Sequence, residues 1–220
     1  MVLKSNTFFL CPDALFTFHF FGRMKHNANL TLVGPSCVLV PYRREHVEVY
    51  HGWMCDPGLR EATASEPLSL EEEFQMCKSW SDDETKCTFI VCDLERKMVG
   101  DVNLYWNDHD DEHIAEVEIM IAETSARRKG IATEALFMVM GYAVKEHGVD
   151  KFVAKIGFDN EASQKLFRKM QFKETSSSSV FREKTMTLEV GDANAEAMQA
   201  IENVLATVIR EAYDVLGGGW

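Results

Sequence analysis

Residues 114 to 157 constrain the fold of this chain most. "IAEVEIMIA" alternates like a strand. "SARRKGIATEALFMVM" runs from a basic loop through a single glycine into a helix, and "KFVAKIG" is a second strand. Strand–helix–strand units of this kind call for one sheet with helices packed on it.

The flanking sequence extends the pattern in both directions. "CVLVPY" is a short apolar strand, and "REHVEVYHGWM" sets Val47, Tyr50, Trp53 and Met54 on one helical face. Pro67 in "TASEPL" disfavours helix at Glu66. "SLEEEFQMCKSW" then predicts a helix capped by Ser69, with Glu71, Glu72 and Glu73 as solvated acids of its first turn. "CTFIVCDL" and "KMVGDVNLYW" read as strands joined by a charged turn around Glu95, Arg96 and Lys97.

Beyond "KFVAKIG", "NEASQKLFRKM" reads as a helix. "QFKET" and "VFREKTMTLEV" read as two final strands around a serine loop, Ser176 to Ser179. In "AEAMQAIENVLATVIREAYDVL" the residues Met198, Ile201, Leu205, Val208, Ala212 and Val215 keep helical spacing, which predicts a helix packed on the domain or on a second copy. The expected fold class is α+β (mixed α/β), a single central mixed sheet flanked by helices. Its expected divisions are an irregular N-terminal extension over 1–35, the domain over 36–190 and a helical tail over 191–220.

Charge narrows the function. Against 23 Lys plus Arg stand 35 Asp plus Glu, a net charge of -12. That excludes general nucleic-acid binding, which needs cations against phosphates, and suits an amine or a basic peptide. Cys11, Cys37, Cys55, Cys77, Cys87 and Cys92 contain no C-x-x-C pair, and they read as reduced thiols of a cytoplasmic protein. "TFFLCPDALFTFHFF", interrupted by Pro12, Asp13 and His19, is too short for a membrane span, so no membrane partner is expected. "DHDDEH", 108 to 113, reads as a solvated hairpin tip, and no metal site is expected. The aromatics Phe74, Trp80, Phe89, Tyr105, Trp106 and Phe137 read as core.

Against this acidic background Arg127, Arg128 and Lys129 concentrate positive charge before Gly130 and a helix. A helix start has unpaired N–H groups and a partial positive charge, and a glycine lets the backbone wrap an anion. The stretch is either a phosphate or pyrophosphate cradle or a surface charge cluster. It has neither the P-loop pattern nor the three glycines of a dinucleotide fingerprint.

Arg127-Arg128-Lys129-Gly130-Ile131-Ala132 resembles the Q/R-x-x-G-x-G/A loop of the GNAT superfamily of N-acetyltransferases, and it lies between a strand and a long helix as in that family. Asn160, Ser163, Lys169 and Phe172 match the N-x-x-S-x-x-x-x-x-K-x-G-F segment of the branch acting on ribosomal-protein N-termini, with Gln171 in place of the glycine. "TASEPLSLEEEF", "KCTFIV", "MVGDVNL", "EVEIMIAE" and "KFVAKIG" resemble the N-acetyltransferase 9-like family, so the likeness covers about residues 36 to 190. "NTFFL" resembles that family's start and "LVG" its continuation, which makes 11–30 look inserted.

The resemblance implies a GNAT fold, acetyl-CoA as cosubstrate, and acetylation of protein N-terminal α-amines, those of α- and β-tubulin in particular. It also implies roles for particular residues. Arg127, Arg128, Lys129, Gly130, Ile131 and Ala132 would hold the pyrophosphate, and Thr133 would cap the helix. Met120 and Ala122 would pair with the pantetheine arm through their backbone, while Asn160 would hydrogen-bond the arm with Ser163 close by at helical spacing. The base that strips the amine would be Glu116, Glu118 or, from the covering loop, Glu66. Phe167 stands where the family often has a tyrosine acid. Three readings follow: an N-terminal acetyltransferase, a small-amine or lysine acetyltransferase, and a non-catalytic relative that binds a partner such as tubulin.

Overall fold

The structure, a computed structural model, describes residues 27–108 and 110–213. Most of the 11–30 segment, along with Cys11 and His109, lies outside the described residues. The chain enters a single sheet with β1 (Leu30–Val33) and β2 (Val38–Pro41). A single turn, Arg44–His46, leads into α1 (Val47–Met54), followed by α2 (Pro57–Ala62) and α3 (Leu70–Asp82). The antiparallel strands β3 (Lys86–Cys92), β4 (Met98–Tyr105) and β5 (Ile114–Ile121) come next. Then follow α4 (Ile131–His147), β6 (Lys151–Gly157), α5 (Glu161–Lys169), β7 (Lys173–Ser178), β8 (Glu183–Glu189), α6 (Ala195–Leu205) and β9 (Ile209–Ala212).

The strand order is β7-β8-β6-β5-β4-β3-β2-β1-β9. Every pairing is antiparallel except β5 with β6, which α4 connects. Period-two alternation sorts the side chains of β3 onto two cores. Cys87, Phe89 and Val91 lie in one core with Leu136 and Met140 of α4 and Ile201 of α6, while Ile90 and Cys92 face α1 and α3 with Tyr50, Trp53 and Cys77. Cover on both faces is why all of β3 is buried.

Local chemistry accounts for the element ends. Ser69 caps α3 in a reciprocal capping box with Glu72, as its sequence predicts. Asp56 caps α2 with a proline in the first turn. Gly100 lets β4 approach β5, since a Cβ there would lie 1.9 Å from the Met120 carbonyl oxygen. The turn after α5 needs a left-handed residue, and Gln171 supplies it at φ 69° without a glycine's freedom.

Four expectations need correction. Residues Leu30–Val33 are a paired strand rather than irregular chain. Ser176 to Ser178 continue β7 instead of looping, because they register against Thr185, Lys184 and Glu183 of β8. The tail is helical only to Leu205, and its last part is β9, which pairs with β1 from Leu30↔Ala212 to Val33↔Ile209. Glu73 is 2 % exposed, not solvated, with its carboxylate 3.8 Å from His51 Nδ1. Among the described residues no helix is long and apolar enough to cross a membrane, and no cluster of His, Cys, Asp and Glu is arranged to hold a metal.

Candidate active site

β5 and β6 are registered only over Ile114–Glu116 and Lys151–Val153. Both strands continue, to Ile121 and Gly157, without further pairing to each other. The sheet therefore opens at the carboxyl ends of its two parallel strands, and the N-termini of α4 and α5 follow from those ends. Open α/β sheets bind ligands at such a point.

The basic loop leads from β5 to α4. Gly130 takes φ 87° as the N-cap, and among the described residues no side chain caps the helix, which leaves the first-turn amides of Ile131, Ala132 and Thr133 open to an acceptor. Thr133, expected as the cap, lies inside the helix instead. Arg128 adopts φ 63°, and it and Lys129 are exposed without an ion pair among the described residues. Arg127 is different. Its Nε donates to the Ile121 carbonyl at 2.8 Å and its Nη2 to that of Ala122 at 3.1 Å, folding the loop back on β5. Three further bonds brace the loop and the helix start: Trp53 Nε1 of α1 donates to Glu123 at 3.0 Å, and Glu134 of α4 accepts from the Ser36 and Cys37 amides at 2.8 and 3.0 Å.

The strand residues expected to meet a cosubstrate shift by one. The Ala122 N–H donates to the Val99 carbonyl at 2.9 Å, so it points to β4. By the alternation of an antiparallel strand Met120 shares that edge, and the backbone groups of Ile119 and Ile121 face the opening. Asn160 caps α5, its Oδ1 accepting from the Ser163 N–H at 3.1 Å. The cap leaves its amide nitrogen for a ligand.

Glu116 and Glu118 lie on the sheet face covered by α1 and α3. Glu116 is paired with Lys155 of β6 at 2.7 Å and also accepts from Asn107 at 3.5 Å. Glu118 is exposed at the strand surface, but neighbours crowd its carboxyl. That burial, and next the charge of Glu116, raise its pKa. Glu66 sits exposed between α2 and α3, without a hydrogen bond or ion pair among the described residues. Phe167 is 3 % exposed and packs edge-on against Phe172, 4.9 Å between ring centroids. It is a core residue with no proton to give.

The sequence reading missed a buried polar row beside these acids. Asp101 accepts from Asn103 at 2.7 Å, and Asn103 accepts from Thr88 at 2.7 Å. Lys86, 2 % exposed, sits over the rings of Trp80 and Tyr105 and donates to the Tyr105 hydroxyl. Tyr105 and Trp80 are thus partners of a buried cation and not plain core. Burial pushes Lys86 down and Asp101 up from their ordinary pKa values. A lysine opening an apolar strand was the one available signal, since all of β3 is covered.

Known proteins bear on this geometry. The family model described as the acetyltransferase (GNAT) domain matches residues 37–173. An N-acetyltransferase 9-like protein of Nematostella vectensis is 48% identical over 176 residues, 76% of this chain and 89% of its own length. The Homo sapiens protein named alpha/beta-tubulin-N-acetyltransferase 9 is 46% identical over 182 residues, covering 77% of this chain and 88% of that one. In fold, the chain is similar to a spermidine N-acetyltransferase from Vibrio cholerae solved with CoA and spermine. The TM-score is 0.60 at 19% identity, over 74% of this chain and 96% of that one.

Proposed function

This chain belongs to the acetyltransferase (GNAT) family, and on that premise we propose that it moves the acetyl group of acetyl-CoA onto the N-terminal α-amine of a protein, with α- and β-tubulin as its substrates. One observation carries the reading: a gap between β5 and β6 with an uncapped basic helix start near one end and two carboxylates on the strand beside it. The relatives' names carry the choice of tubulin.

The residues fit acetyl-CoA. Uncapped amides at Ile131, Ala132 and Thr133, with Gly130 in a left-handed turn, suit a pyrophosphate, and Arg128 and Lys129 add unpaired positive charge. The opening-facing backbone of Ile119 and the N–H of Ile121, whose carbonyl Arg127 already holds, suit an amide-bearing arm laid along β5, with Asn160 Nδ2 opposite. When bound, acetyl-CoA supplies an activated acyl group. The protein supplies alignment and a proton acceptor. An α-amine is largely protonated near neutral pH and must lose a proton before it can attack. Glu118 is the stronger choice of base. Its pKa is raised, whereas the side chain of Glu116 is engaged by Lys155 at 2.7 Å. Glu66 takes no part in this reading.

The test is an acetylation assay read by mass spectrometry. Peptides matching tubulin N-termini are offered with the α-amine free or blocked. Acetyl gain on the free peptide alone is the expected outcome, and gain on both would move the reaction to lysine. Phe167 favours a second reading, a non-catalytic protein that binds its partner through this fold. Coenzyme A binding without acetyl gain on any amine would select it.

A further inference from the structure

We propose that Cys55 is a nucleophilic thiol and a modification site: its sulfur attacks small-molecule disulfides, with His51 accepting the thiol proton and Glu73 holding the charged imidazole. Acetyl transfer as read above makes no use of these three side chains. Cys37, Cys55, Cys77, Cys87 and Cys92 are all unbridged, and of these only Cys55 is exposed. Cys55 ends α1, and His51 lies four residues earlier, one turn back on the same face. The Cys55 sulfur is 3.8 Å from His51 Nε2, within reach of a hydrogen bond to sulfur.

The other ring nitrogen faces a carboxylate. His51 Nδ1 lies 3.8 Å from Glu73 Oε1 of α3, and the Glu73 side chain is buried. His51 Nδ1 and Glu73 Oε2 are both buried without a hydrogen-bond partner among the described residues. A buried carboxyl oxygen without a partner costs stability, which points to a role beyond packing. A cation formed on His51 supplies that role. It faces Glu73, and it sits in the last turn of α1, where the helix end attracts positive charge. The same helix end opposes a thiolate at Cys55, but Arg60 offsets it by donating to the Met54 carbonyl at 2.6 Å. Asp56, the next residue, turns its carboxylate to the Gly58 amide at 2.7 Å.

The step is thiol–disulfide exchange, and it balances. The Cys55 S–H bond and the S–S bond of the disulfide break, and a new S–S bond joins Cys55 to one half of the reagent. The Cys55 sulfur is oxidised and the departing sulfur is reduced. The proton passes from Cys55 to His51 Nε2 and on to the departing thiolate. Exposure alone would give Cys55 the reactivity of an ordinary thiol, with no dependence on His51 or Glu73.

The experiment treats the reduced full chain near neutral pH with hydroxyethyl disulfide, an uncharged reagent that the net charge of -12 does not repel. Peptide mass spectrometry follows the mixed disulfide at Cys55, and a synthetic peptide of residues 48–60 in the same buffer gives the rate of the unfolded sequence. Cys55 in the folded chain is expected to react roughly 10-fold faster than in the peptide. His51→Gln should bring the folded rate down to that of the peptide, and Glu73→Gln should lower it several-fold, with circular dichroism confirming that each variant is folded. A wild-type rate no faster than the peptide's, or a rate unmoved in folded His51→Gln or Glu73→Gln, would overturn the proposal. The comparison of wild type with peptide needs no variant, so it decides even where a substitution prevents folding.

Discussion

At the scale of single residues, three neighbouring cations do two jobs. Arg127 spends its guanidinium on the Ile121 and Ala122 carbonyls, while Arg128 and Lys129 are left without an ion pair among the described residues. Arg127→Ala should therefore lower stability by about 1 kcal/mol, since it frees two strand-end carbonyls, and urea unfolding measures it. Arg128→Ala and Lys129→Ala should leave the unfolding midpoint in place. Each should weaken coenzyme A binding by roughly 3- to 10-fold in calorimetry at low salt, and by less at high salt, where exposed charges are screened. Equal loss of stability in all three variants would contradict this division. The charge cluster was legible in the sequence because three adjacent cations are conspicuous in an acidic chain. Which of them turns inward was not, because it depends on where the carbonyls at the end of β5 point.

Among the elements, the entry to α1 has a pH dependence of its own. His46 is fully buried; its Nδ1 accepts from the Arg43 N–H at 3.0 Å. Burial lowers its pKa from 6.5 to about 4. The folded state thus binds fewer protons than the unfolded one between these values. The contribution is complete above the unfolded pKa and is lost as pH falls through the folded one. Chemical unfolding should lose up to about 3 kcal/mol between roughly pH 6.5 and 4. His46→Gln, which cannot titrate, should flatten that part of the curve; an unchanged slope would show that other groups cause it. Most elements were legible because period and cap agree, as at Ser69. Where they failed, pairing decided: the polar run Ser176 to Ser178 is strand because β8 lies beside it, and Ile209–Ala212 is strand because β1 offers an edge.

For the whole molecule, the sheet is closed on one side by a segment distant in sequence. β9 pairs with β1, and Tyr213 donates its hydroxyl to Glu45 at 2.9 Å, so the end of the described chain is tied to its beginning. Ending the chain at Val208 should expose the β1 edge, lower the thermal midpoint by several degrees and increase aggregation, as light scattering would show. An unchanged midpoint would mean that β9 is only decoration. The sequence by itself determined the strand–helix–strand unit, the acid pair on β5 and the basic helix start, because each is a local pattern of period, charge or backbone freedom. Tertiary structure alone decided that β5 and β6 part after Glu116, that Ala122 faces β4, that Glu73 is buried, and that Lys86 lies between two rings beside Glu118. Each of these depends on which distant strand or helix is adjacent. Local propensity does not encode adjacency, because it is set by how the whole chain buries its apolar faces.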